Sequence, residues 1–465
     1  MSIEGKSIDY VAEHERHGRV IDQGPFWFLG NFQFFTIAIG FVGPSMGLSF
    51  GYTALAGALG ILFGTVFVAF HASQGPELGL PQMIQSRAQF GFRGVVVVLI
   101  GTLFTFVGLN VADSVLSARG LNGILGWNES IVTLLAVGSA TLLAIYGHDW
   151  LHRVFRWCFL LCMPLYTLLT LAILAGRIPA SHPVVGHYSW VAFCGQFAAS
   201  ASYNITYAPS VSDYSRYLPR RTPRRAIIAA VFIGASSSAI WLIALGAWLA
   251  TRLGAADGLV ALHDAGNAVF AGFGVLMSLA SVTALVATMG LNAYSGMLTV
   301  VTGLNSLCQM QPSPRLRVVT IVGLGALSVA LTLAISANAI ALLFAVLTIM
   351  LYLLGPWTSI NLIDYFFVRH GRYAITQLFQ PHGIYGSWGA RGLLAYLIGF
   401  AATLPFFVLP DLYMGPAARA LGGVDVGWLV GLLVAGGVYL WLTRSFDASR
   451  EAPAILASER LLAGR

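Results

Sequence analysis

Few side chains in this sequence can do chemistry, and most of them sit in apolar surroundings. Phe106 and Asn110 stand four residues apart inside an apolar run, so a helix presents them on one face. An aromatic ring there can stack on a flat heterocycle, and an amide offers a donor and an acceptor to its edge. Ser281, Ala284, Thr288, Asn292 and Ser295 recur at helical spacing in a later run. Such a stripe serves either as packing glue between membrane helices or as a polar lining. Tyr203, Asn204 and Tyr207 close the polar stretch Ser200–Tyr207, just before Pro209. Asp113 is the one clear carboxylate within the third apolar run. An intramembrane acid is a functional candidate unless it snorkels to water. Asp213 and Arg216, three apart, suit an ion pair that anchors a helix end or gates a vestibule.

Other chemistries lack their residues. There is no HExxH, nucleophile elbow, paired catalytic carboxylates or Walker-type loop, so the expected work is binding and not catalysis. No cofactor is implied. Cys158, Cys162, Cys194 and Cys308 form no CxxC pair and read as packing thiols, with no metal site beyond a sodium ion in prospect. The net charge of +7 belongs to basic loops and does not suggest nucleic acid.

The elements that must position these residues are membrane spans. The chain is 57% hydrophobic and 9% charged over 465 residues, with a mean hydropathy of +0.78. A soluble domain carries about 25% charge. Twelve apolar runs approach the ~20 residues needed to cross the hydrocarbon. They cover about 27–50, 52–73, 94–118, 131–147, 154–176, 190–211, 226–251, 267–302, 317–336, 338–360, 392–410 and 424–443. The eighth is long enough to leave the bilayer or to bend. With the N-terminus inside, all but Arg119, Arg177, Arg252 and Arg419 of the 25 Lys and Arg fall on the cytoplasmic side. Both termini are therefore expected in the cytoplasm, and the protein in the cell (inner) membrane. Arg220, Arg221, Arg224 and Arg225 read as a topology anchor.

Residues 1–26 are expected to be a cytoplasmic arm, solvated from Gly5 to Asp22, and 444–465 a similar tail. Residues 27–360 form a ten-helix core, with 27–176 and 190–360 as its two repeats. Residues 361–443 add a cytoplasmic loop and two peripheral helices. The repeats are suggested by two interrupted spans, the first through Gly40, Gly43 and Pro44, the sixth through the polar stretch and Pro209. They open successive groups of five, so the second group is inverted. Broken helices at matching positions of inverted halves point to a midplane binding site.

Three stretches resemble the nucleobase–cation symporter-1 family of purine, cytosine, allantoin and hydantoin permeases. They are Gly79–Gly94 with Arg87 and Arg93, Ser212-Asp-Tyr-Ser-Arg-Tyr-Leu-Pro219, and Asp364-Tyr-Phe-Phe-Val-Arg369 followed by Tyr373. The resemblance covers about residues 20–445. It implies an all-α integral membrane protein with a LeuT-like 5+5 inverted repeat and twelve transmembrane helices. It implies import of a purine or cytosine by cation symport; allantoin, a hydantoin or a thiamin-related pyrimidine is the alternative substrate. A sensor that binds without transporting is the alternative of another class. No protein partner is implied beyond the lipid bilayer.

The resemblance also assigns residues. Phe106 and Asn110 match the family's Trp and Gln on the third helix. Tyr203 and Asn204 fall at the broken sixth helix, and Asn292 fits the substrate contact of the eighth. Phe34 and Ala38 fall at substrate-facing positions of the first helix. Carbonyls near Phe34 and Ile37, with the hydroxyl of Thr283 or Thr288, would form the cation site. A sodium ion wants about five or six oxygens by analogy with other hard cations. That set is thin, so the coupling ion is sodium or a proton.

Overall fold

The computed structural model describes residues 7–181, 183, 185–254, 257–334, 339–409 and 412–463. In hydrocarbon the backbone can satisfy its polar groups only within itself, and the apolar runs are accordingly helical. The first span is split into α1 (Val20–Asn31) and α2 (Phe34–Ile39). The two pieces of this span, Val20–Asn31 and Phe34–Ser45, bend by 57°. Then come α3 (Phe50–Ala72), α4 (Val95–Leu125), α5 (Glu129–Tyr146) and α6 (His148–Leu174). The sixth span is split into α7 (Trp190–Ile205) and α8 (Val211–Ser215). It is followed by α9 (Arg224–Leu253), the outer helix α10 (Gly258–Val269), α11 (Phe273–Cys308), α12 (Pro314–Ala334) and α13 (Ala339–Ile363). The helices α14 (Ala390–Thr403) and α15 (Gly427–Thr443) pack on each other, and α15 packs on α13. Eight of the described helices are long and apolar enough to span, or up to ten if each bent pair is one span; the 14-residue α14, with the turn that follows it, is a shorter apolar helix. The eighth run, about 267–302, breaks at residues 270–272, where α10 ends, and beyond that α11 is one continuous helix of 36 residues.

The first and sixth spans pack with α3 and α9 as one bundle, while α4, α5, α11 and α12 pack as a second group. Glycine allows the bundle to close. A Cβ on Gly246 would lie 2.1 Å from the Ile37 carbonyl oxygen, and one on Gly40 would lie 2.3 Å from that of Ile243. Small residues let membrane helices approach in this way. Gly40 is thus a packing residue. The first span breaks further along the α1 side, at Phe32-Gln33, where Gln33 caps α2 by accepting a 2.7 Å hydrogen bond from the Phe35 amide. The sixth span breaks at Thr206–Ser210, within the polar stretch and at Pro209.

Both ends are partly buried against the helices. Ser7, Ile8, Val11 and Arg16 are buried. Arg16 donates to the carbonyls of Val11 and Pro76, which ties the arm to the turn after α3. The tail forms α16 (Ala452–Ala463), which buries Ile455 and Ser458 against the segment Ile375–Phe379. An amphipathic pattern this short is hard to separate from a polar tail by sequence. Residues 1–6 and 464–465 of the expected arm and tail, and residues 335–338 at the ninth-to-tenth boundary, lie outside the described residues.

Candidate functional site

The two breaks face each other and are laced together by side chains. Asn31, the last residue of α1, donates to Asn204 Oδ1 at 2.9 Å and to the Ala235 carbonyl at 2.9 Å. Asn204 donates in turn to Thr65 Oγ1 at 2.5 Å. Gln33 donates to the Tyr203 hydroxyl at 2.8 Å, that hydroxyl donates to Thr36 Oγ1 at 2.7 Å, and Tyr207 donates to the Gly30 carbonyl at 2.8 Å. These groups would be orphaned by the two unwound turns, and each finds its partner across the gap. Asn204 is therefore engaged by the framework. Tyr203 stays at the edge of a cavity of about 260 Å³, which is also bordered by Ser45, Met46, Ser202, Leu351 and Asp425. That cavity lies on the side away from the arm.

The facing wall is built by α4 and α11. A Cβ on Gly296 would lie 3.5 Å from Phe106 Cβ, and one on Gly303 would lie 3.6 Å from Leu99 Cδ1. The helices are thus antiparallel in a constant register, which sets Asn110 opposite Asn292. Both asparagines are buried, and among the described residues the Oδ1 atom of each has no hydrogen-bond partner. A buried acceptor left unpaired costs about 1–3 kcal/mol, so two of them at one level mark a place shaped for a donor. Asp113, three residues beyond Asn110, is 2% exposed and lies near enough to Tyr203 and Tyr207 to act on both electrostatically. Among the described residues its carboxylate has no hydrogen-bond or ion-pair partner.

The remaining expected site residues lie elsewhere. Phe34 and Ile37 are inside α2 and not in the break, and the Ile37 carbonyl accepts from Gly40. Ala38 lies toward α10, about 4 Å from where a Cβ on Gly258 would be. Thr283 is on the exposed face of α11 and donates to the Leu279 carbonyl, so it is turned away from the wall. Thr288 is buried, with its hydroxyl 3.4 Å from the Ala284 carbonyl. The carbonyls of Leu29, Gly30, Asn31 and Gln33 each already accept a hydrogen bond, from Phe32, Tyr207, Thr36 and Thr36 respectively.

Below the site, Asp213 accepts from the Gln82 amide at 3.0 Å. Arg216 donates to the Ser7 carbonyl at 2.8 Å and to the Tyr294 hydroxyl at 3.2 Å. Asp213 and Arg216 influence each other electrostatically, yet each reaches a different neighbour, and together they join α8 to the arm, to the loop before α4 and to α11. Gln33, Thr36, Asn31 and Thr65 are not singled out by any sequence pattern. The one available signal was a pair of amides, Asn31 and Gln33, in an otherwise aromatic run.

The sequence matches, over residues 10–431, the family described as permeases for cytosine/purines, uracil, thiamine and allantoin. It is 33% identical over 451 residues to YxlA of Bacillus subtilis strain 168, provisionally named a purine-cytosine permease, covering 96% of each chain. It is 24% identical over 471 residues to the purine-cytosine permease fcyB of Emericella nidulans, covering 96% of this chain and 89% of that one. Among solved structures it is similar to MHP1, a nucleobase-cation-symport-1 family transporter in a closed conformation with bromovinylhydantoin bound. There the TM-score is 0.73 at 16% identity, over 97% of this chain and 99% of that one. A Na⁺-coupled sialic acid symporter follows at a TM-score of 0.59 and 14% identity, over 95% and 93%. At these identities the structural likeness establishes the fold: an all-α, LeuT-like transporter.

Proposed function

The chain belongs to the family of permeases for cytosine/purines, uracil, thiamine and allantoin, and from that premise we propose that it imports a purine or cytosine with a cation by alternating access. It is a multi-pass membrane transporter and not an enzyme. The observation that carries the substrate reading is the pair of buried amide oxygens, Asn110 Oδ1 and Asn292 Oδ1, unpaired and held at one level between α4 and α11. A nucleobase edge supplies N–H donors to both. Phe106, one turn from Asn110, and Tyr203, across from it, offer faces for a flat ring. The names of YxlA and fcyB support purines and cytosine over the family's other substrates.

Both termini are placed in the cytoplasm, by the side on which Lys and Arg concentrate, and the membrane is the cell membrane. Residues 27–360 act as the moving core, and 361–443 as a peripheral brace.

The coupling ion is a proton, carried by Asp113. Sodium finds little here: Thr283 faces outward, and four carbonyls around the first break already have donors. Asp113 is buried, unpaired and beside the phenols that close the second break. Uptake of labelled cytosine, adenine, hypoxanthine, uracil and allantoin into proteoliposomes tests both parts. Accumulation of one base under a proton gradient, and none under a sodium gradient, is expected. In Asp113→Asn, gradient-driven accumulation should vanish while exchange of internal for external base persists. Accumulation under sodium alone would overturn proton coupling. No uptake of any base by folded protein would overturn the substrate class.

A further inference from the structure

A second polar cluster lies away from the substrate site, where the arm meets the cytoplasmic end of α6. His17 Nε2 is 3.3 Å from Asp149 Oδ1, and His148 Nδ1 is 3.0 Å from the same oxygen. One ligand atom from each of the three residues lies within 4.8 Å of the others. They border an open cavity of about 140 Å³, so an ion in water can reach them.

The geometry of His17 is informative. Its Nδ1 is 2.9 Å from the Glu15 carbonyl oxygen, which can only accept. Nδ1 therefore carries the hydrogen, and in the neutral ring Nε2 is left with a lone pair. That lone pair faces a carboxylate oxygen. Two lone-pair atoms 3.3 Å apart need a cation between them, either a proton on the ring or a metal ion. A backbone carbonyl on the far nitrogen is also how proteins orient a metal-ligating histidine. Around a tetrahedral zinc ion, bonds of about 2.0 Å place neighbouring ligand atoms about 3.3 Å apart. The distances of 3.0 and 3.3 Å match that spacing.

The geometry points to a divalent transition-metal site formed by His17, His148 and Asp149, with water completing the coordination. Two imidazoles and a carboxylate suit zinc, and they disfavour magnesium and calcium, which prefer oxygen. His152 lies beside the site, its ring centroid 4.4 Å from that of His148, with Nε2 buried and unpaired. The charged neighbours are Arg19, which is bonded to Asp22, and the exposed Arg156.

The position gives the ion a role. His17 travels with the bundle, because the Gly18 amide donates to the Tyr217 carbonyl just beyond α8. His148 and Asp149 begin α6, which packs on α11 of the opposite group and also, less extensively, on α1. A metal bound here ties the two groups together on the arm side and holds that mouth shut. This regulatory part rests on the transport reading; the binding part does not.

Zinc binding to the purified full-length protein is measured by equilibrium dialysis, with magnesium as control. One zinc ion per chain, released by chelator, is expected. His17→Ala and Asp149→Asn should each weaken binding at least tenfold, while His14→Ala should bind as wild type. His17 is exposed, so its variant should elute and melt as wild type. Zinc sealed inside vesicles should slow base uptake by wild type and leave His17→Ala unaffected. Equal zinc binding by wild type and His17→Ala overturns the site, as does absence of zinc binding to wild type. Zinc binding at this site without any slowing of uptake overturns the regulatory role alone.

Discussion

Replacing Asn110 or Asn292 by leucine separates a binding role from a structural one. Each asparagine has a buried amide oxygen with no partner. In the empty protein that oxygen is a liability of about 1–3 kcal/mol, and removing it with a side chain of similar volume is neutral or stabilising. On the proposed function, the same oxygen would accept from the substrate in the bound protein, a bond contributing about 1–2 kcal/mol, or roughly 5- to 30-fold in affinity. The two effects have opposite signs. Asn110→Leu and Asn292→Leu should therefore melt at or above the wild-type temperature without ligand. They should also lose most of the thermal shift that the transported base produces, and bind it 5- to 30-fold more weakly in scintillation proximity assays. If these amides are helix-to-helix hydrogen bonds, the substitutions would lower the ligand-free melting temperature and leave the shift intact. That result would refute the reasoning from unpaired oxygens.

Asp364 accepts from Gln89, Tyr373, Tyr439 and Arg369. Asp364→Ala would strand these donors at a cost of about 3–5 kcal/mol, seen as aggregation on size exclusion; a monodisperse variant with wild-type melting would remove Asp364 as a structural hub. Gly246→Val should prevent α2–α9 packing, because even a Cβ would sit 2.1 Å from the Ile37 carbonyl oxygen. Recovery of folded Gly246→Val at wild-type yield would contradict that close approach. Deleting residues 1–17 removes the acceptors Ser7 and Asp9 from Arg216. Ser295→Cys in that background should then react faster with a thiol reagent from the arm side, and an unchanged rate would show that the arm does not close that mouth.

The spans were legible because twenty apolar residues in a row have one stable conformation in lipid. Their order and the split sixth span could be read from Ser200–Pro209. The position of the first break could not. Gly40, Gly43 and Pro44 are the usual breakers, yet Gly40 sits against α9 backbone, and the chain opens at Phe32-Gln33. What opens it is a set of partners from distant spans: Tyr203, Tyr207 and Ala235. No local pattern encodes them. The same limit governs Thr283 and Thr288. Five residues apart on a helix, they differ in direction by more than a right angle, and only packing selects the inward one. Asn110 and Asn292 were legible as polar residues in apolar runs, but their shared level depends on the α4–α11 register. The arm and tail misled because Arg16 is charged and yet buried, with backbone carbonyls as its partners.

The polar ties between the two helix groups are unevenly placed, and this bears on which way the protein faces. On the arm side, Arg216 reaches Tyr294, and Tyr214 donates to the Leu291 carbonyl at 3.1 Å. Both contacts join α8 to α11, and the arm lies over them through Ser7 and Asp9. On the other side the cavity reaches down to Tyr203, and Ser202 bonds the Leu347 carbonyl at a long 3.4 Å. Opening the arm side must break the charged Arg216–Tyr294 bond, worth about 1.5–3 kcal/mol, and the neutral Tyr214–Leu291 bond, worth about 1 kcal/mol. On the other side the Ser202 bond to Leu347 is neutral and long. The empty protein therefore rests closed toward the arm, and a substrate that binds equally in both states moves nothing. Transport requires that base and ion together favour the opposite arrangement by more than those ties resist it. On the proposed proton coupling, Asp113 would serve this, since its carboxyl lies close to Tyr203 and Tyr207 at the second break.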